Sequence, residues 1–165
     1  MSVRKLTRMA LLTAIALIVF VIEMQIPPIV PVPGAKLGLA NVVTVFAVYT
    51  LSAGETAMIL IARILLGAVF AGNPTALIMS FSGGLLCLLG MLLLRRVIDR
   101  KHIWVCSILG AVLHNIGQTA AAAAVMQTTA VISYLPYLTA AGCIAGALTG
   151  IIAQLCVSRL SDRMR

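Results

Sequence analysis

From residue 9 to residue 157 the chain is a succession of apolar runs, each closed by a short group of turn-forming or charged residues. A helix that crosses a bilayer needs about 20 predominantly apolar residues. The pattern predicts six spans, at 9–22, 37–51, 55–70, 75–94, 103–126 and 135–157. Pro27, Pro28, Pro31, Pro33 and Gly34 follow the first run, Ser52 to Gly54 the second, and Gly72-Asn73-Pro74 the third. The charged stretch Arg95 to His102 and the polar stretch Gln127 to Ser133 close the fourth and fifth. The third span is short, which leaves room for one re-entrant segment.

Composition agrees. The chain is 62% hydrophobic and 10% charged, with a mean hydropathy of +1.14. Soluble domains run at about 45–50% and about 25%. So much apolar side chain cannot be hidden in 165 residues, and lipid must be the solvent. The expected fold is an all-α integral membrane protein in one transmembrane domain over 1–165, with little left for a soluble catalytic domain. Arg4, Lys5 and Arg8 before the first run resemble a signal peptide. That run leads into Glu23 and a Pro-rich loop without a small-x-small cleavage site, so it is expected to be the first span.

Lysine and arginine set the orientation. With the N-terminus in the cytoplasm, the inner side holds Arg4, Lys5, Arg8, Arg95, Arg96, Arg100, Lys101, Arg159, Arg163 and Arg165. Only Lys36 falls outside, and Arg63 lies within a span. Six spans with both termini cytoplasmic explain this asymmetry. The net charge of +8 is then a topology signal whose partner is the anionic inner leaflet, not nucleic acid. Cys87, Cys106, Cys143 and Cys156 all sit in apolar runs, with neither CxxC spacing nor histidines at zinc-site spacing, so neither a metal site nor a cofactor is expected.

Polar residues inside the spans carry the functional signal. Arg63 is roughly 12 Å from either end of its span at about 1.5 Å per residue, too deep to reach a headgroup easily. It needs a partner, for which Glu23 is one choice, or a ligand. His114 and Gln118 stand one turn apart on the fifth span, with Asn115 beside them. Asn41 lies about one turn in from the outer end of the second span. These residues point to the middle and outer half of the bilayer from three helices. They are either interhelical glue or the lining of a ligand site. Above them, the first outer loop runs from Glu23 to Lys36; it is a bare connector or a stiff lid carrying one cation. Asn73, in the next outer loop, adds an amide or is turn chemistry. Glu55, at a helix start, is structural. Gly142, Gly146 and Gly150 form a small-residue stripe suited to packing within the bundle.

Several chemistries are missing. No G-x-x-x-x-G-K-[ST] sequence occurs, no pair of acidic clusters to hold Mg²⁺ on a diphosphate, and no Ser or Cys nucleophile with a base, so no catalytic residue is assigned.

Ala35-Lys36-Leu37-Gly38-Leu39-Ala40-Asn41, Arg63, and Leu113-His114-Asn115-Ile116-Gly117-Gln118 resemble a small bacterial membrane family. Its members are labelled Gx transporter or heptaprenyl diphosphate synthase component I. The resemblance covers essentially the whole chain. That family in turn resembles the substrate-binding S components of energy-coupling-factor transporters. These six-helix proteins bind a vitamin or related micronutrient at the outer face of the bacterial cytoplasmic membrane. They rely on a transmembrane coupling subunit and a pair of ATPases for uptake. The resemblance implies an S-component-like bundle, with Lys36, Asn41, Arg63, His114, Asn115, Gln118, Glu23 and Asn73 as ligand-binding candidates. It implies a docking face for the coupling subunit at Ala10 and Ala14. No ligand motif of the riboflavin, thiamine or biotin binders is present; a flavin, a quinone precursor or a prenyl phosphate would suit a basic, apolar-walled site. The synthase label supplies a rival: a non-catalytic membrane subunit associated with polyprenyl diphosphate or quinone biosynthesis. A membrane scaffold without ligand is the third possibility.

Overall fold

The computed structural model describes residues 2–27 and 38–162. Within them six α-helices follow one another: α1 (Val3–Met24), α2 (Asn41–Thr50), α3 (Ala53–Ala71), α4 (Pro74–Leu94), α5 (Ile103–Met126) and α6 (Leu135–Asp162). Short 3₁₀ turns precede α5 and α6, at Arg100–His102 and Thr129–Tyr134. The described residues contain no strand.

Local chemistry explains the helix ends. Ser52 and Glu55 form a capping box at the start of α3: the Ser52 hydroxyl accepts from Glu55 N at 3.3 Å, and Ser52 N donates to the Glu55 carboxylate at 3.0 Å. Lys5 of α1 then pairs with the same carboxylate at 3.3 Å, which brings the first turns of α1 and α3 together. Gly72 ends α3 with a φ of +60°, a conformation that costs a residue without a Cβ little. Asn73 caps α4 by accepting from Thr75 N at 2.9 Å, and Pro74 occupies the first helical position.

Among the described residues five helices are long and apolar enough to cross a membrane, and large apolar side chains such as Val69, Phe70, Leu93 and Ile144 cover their outer faces. The chain is a multi-pass membrane protein.

The departure from the expected spans is α2. Its ten residues rise only about 15 Å, half of a hydrocarbon core of about 30 Å. The short element is therefore the second, and α3, at 19 residues, is long enough to cross. Periodicity could not separate the helix from the irregular stretch before it, since both are apolar. Helix α2 sits inside the bundle, touching each of the other five helices, and seven of its residues are buried. Arg95, from the charged stretch after α4, donates to the Val48 carbonyl in its last turn at 2.7 Å.

The closest helix pairs are α4–α5 and α5–α6, and glycines make them so. A Cβ on Gly117 of α5 would meet the Ser82 carbonyl oxygen at 2.8 Å and Gly83 Cα at 2.9 Å. The Gly142, Gly146 and Gly150 stripe faces α5, where Asn115, Ala111 and Trp104 occupy the space a side chain would need. It is bundle packing.

Candidate functional site

A buried polar cluster forms where five helices meet. Glu23 comes from the last turn of α1, Asn41 from the first turn of α2, Arg63 from the middle of α3 and His114 from the middle of α5; α4 contributes the backbone at Gly83. Each of the four side chains is at most 7% exposed, in a bundle whose outer faces are apolar.

The cluster starts at Gly38, whose N–H donates to the Glu23 carboxylate at 2.6 Å across 15 residues of chain. Gly38 has a φ of +78°, and a Cβ there would stand 2.8 Å from the Asn41 amide nitrogen and 3.7 Å from the His114 ring. Glycine is required on both counts. The His114 ring lies against Gly83, where a Cβ would meet its Nδ1 and Cε1 at 3.2 Å. A single glycine on α4 thus makes room for the imidazole.

Arg63 has the Glu23 carboxylate as its coulombic partner and His114 within range of its charge. Its Nε and Nη2, Asn41 Oδ1 and His114 Nδ1 find no hydrogen-bond partner among the described residues. Buried polar groups are almost always satisfied, and an orphaned one costs about 1–3 kcal/mol, more when charged. Four such atoms in one place are unusual for a site that only holds helices together. A cavity of about 10 Å³, bounded by Phe20, Arg63, Gly67, Ala76 and Ser80, adjoins the guanidinium and has room for about one water molecule.

The other expected site residues divide. Asn115 is committed to packing: its amide donates to the Leu138 carbonyl of α6 at 2.6 Å, and its oxygen accepts from Gln118 at 3.4 Å. Gln118 is 2% exposed and sits on the same helix one turn from His114. Asn73 spends its side-chain oxygen on the α4 cap, apart from the cluster in sequence and role. Lys36 lies outside the described residues. Ala10 and Ala14 are exposed on α1, so that face is not used inside the bundle. Sequence reasoning missed Gly38 and Gly83 as parts of the site. The signal for Gly38 was its place just before Asn41 after a Pro-rich stretch; for Gly83 there was none, because its role is to be absent beside His114.

The family model for heptaprenyl diphosphate synthase component I matches residues 12–156, nearly all of the helical bundle. The chain belongs to the heptaprenyl diphosphate synthase component I family. As a component I it is not itself the catalytic subunit. The matched region takes in α2 to α5 entire, and with them Glu23, Asn41, Arg63 and His114. No curated protein and no solved structure matches the chain. Among the described residues no group of His, Cys, Asp and Glu side chains is arranged to hold a metal ion.

Proposed function

We propose that this component I protein is the membrane-embedded substrate-binding subunit of an energy-coupling-factor-type uptake transporter, taking a small polar or anionic ligand from the outer side of a bacterial cytoplasmic membrane. The observation that supports it is Arg63: a guanidinium 5% exposed, at the junction of five helices, with two of its nitrogens unpartnered among the described residues. A carboxylate or phosphate accepts from such a fork in a charge-assisted pair. Asn41 and His114 then supply further polar contacts, and the apolar helices around them accommodate a ring or chain. The cavity beside Arg63 is too small for such a molecule, so binding requires the cluster to open locally, and the Glu23–Gly38 hydrogen bond is the contact given up. The ligand's anion takes the place of Glu23 beside Arg63. The exposed Ala10 and Ala14 suit close approach by a helix of the coupling subunit, which in turn engages the ATPase pair.

Native mass spectrometry of the protein purified from its own membranes tests this reading. A small non-covalent adduct is expected on the wild type. Losing a hydrogen bond to a charged group costs about 1.5–3 kcal/mol, roughly ten- to a hundredfold in affinity, so Arg63→Ala should shed the adduct while remaining folded. Normal binding by a variant that melts far earlier would mean that Arg63 serves the fold alone.

The family description favours a second reading, in which the chain is a non-catalytic membrane subunit of a polyprenyl diphosphate-forming assembly. Affinity purification separates the two. Recovery of a soluble prenyl synthase subunit in place of an ATPase pair would decide for the second.

A further inference from the structure

We propose that a groove between α1 and α6, separate from the Arg63 cluster, is a binding site for one anionic phospholipid of the cytoplasmic leaflet. Between α1 and α6, over one face of the short helix α2, lies an apolar groove of about 680 Å³. Val42, Val43 and Phe46 of α2 form its floor, and Leu12 and Ile15 of α1 one wall. The other wall is α6 from Ile152 to Leu160.

Two observations choose the occupant. The first is length. Ile152 and Leu160 are eight residues apart, which at about 1.5 Å per residue is ~12 Å of helix. One leaflet contributes about half of a core about 30 Å thick, so the groove matches the depth of one layer of acyl chains. The second is charge. Among its lining residues Arg159 alone is ionisable apart from the Cys156 thiol, and it lies in the last turn of α6 at the cytoplasmic end. An acyl chain in the apolar part places a headgroup phosphate beside that guanidinium. Basic pockets between helices on the cytoplasmic side are suited to anionic headgroups. A transmembrane partner helix would have to bring its own carboxylate to the same depth, and nothing on the groove's walls calls for a second polar contact.

The test is native mass spectrometry of the full chain in detergent, titrated with dioleoylphosphatidylglycerol or dioleoylphosphatidylcholine. The wild type should retain one phosphatidylglycerol per chain in clear preference to phosphatidylcholine. A basic side chain near the surface is worth about fivefold in affinity for an anionic lipid. Arg159→Gln should therefore weaken phosphatidylglycerol about fivefold and leave phosphatidylcholine unchanged. Cys156 is exposed on the groove's wall, and Cys156→Trp, which fills the groove from its rim, should reduce both lipids without lowering the melting temperature. Equal retention of the two lipids by the wild type would overturn the proposal, as would an Arg159→Gln variant with unaltered preference. So would finding the groove filled instead by a second copy of the chain, by a co-purified polypeptide, or by a polyprenyl diphosphate that displaces phosphatidylglycerol.

Discussion

Replacing Arg63 and Glu23 together asks whether their cluster exists for the fold or for a ligand. Taken alone, Arg63→Met leaves the Glu23 carboxylate buried without its coulombic partner, and breaking a buried pair from one side costs about 3–5 kcal/mol. The double variant Arg63→Met with Glu23→Gln behaves differently. The introduced amide keeps an oxygen to accept from Gly38 N, so the 2.6 Å contact that anchors the start of α2 survives. The variant also removes two unpartnered guanidinium nitrogens, each costing about 1–3 kcal/mol. Exchanging a buried ion pair for neutral groups of similar volume is often neutral or stabilising by about 1–4 kcal/mol. In a protein of this size about 1 kcal/mol corresponds to about 2–4 °C. The double variant should therefore melt at or above the wild-type temperature, Arg63→Met roughly 6 °C or more below it, and neither should hold an anionic ligand. The protein carries its own reporter: buried Cys87 and Cys106 should react with a thiol-specific fluorophore on unfolding, with exposed Cys156 and half-buried Cys143 setting the baseline. A double variant that melts as low as Arg63→Met would refute the reasoning, because the cluster would then be holding the helices together.

Three further outcomes are expected. Gly117→Ala should destabilise the protein by up to about 3 kcal/mol, since the new methyl meets backbone of α4 that cannot rotate away, whereas Gly54→Ala, with nothing within 4 Å, should be neutral or stabilising by up to about 1 kcal/mol; the same thiol melt compares them. Asn115→Ala should cost about 0.5–1.5 kcal/mol by removing the buried hydrogen bond from α5 to the Leu138 carbonyl of α6, and would be seen as earlier thiol exposure with the Arg63 site still able to bind. Ala10→Leu with Ala14→Leu should leave ligand affinity and melting temperature within error of wild type and abolish co-purification of an ATPase module, because both alanines face outward; loss of stability instead would refute the docking role.

Much of this protein was legible in its residues, and the reason is the solvent. Lipid tolerates apolar side chains and excludes charged ones, so a multi-pass helical bundle follows from composition read along the chain. The same exclusion marked Arg63 and His114 as exceptional, since neither is inexpensive to bury. What one-dimensional pattern cannot encode is distance between helices. The second apolar run was read as a span, but only the packed bundle decided that it holds a ten-residue helix with room beside it for a groove. Asn115 and His114 are neighbours in sequence with equal claims on a ligand. Helical rotation turned Asn115 onto the α6 backbone and His114 onto Gly83 and Gly38, because residues adjacent in a helix point about 100° apart. Glu23 and Gly38 meet across 15 residues, a contact no local period predicts. Sequence by itself determined which groups lipid would accept and which it would not. The tertiary structure decided which of the unaccepted groups satisfy one another, since that depends on how closely glycines let α4, α5 and α6 approach.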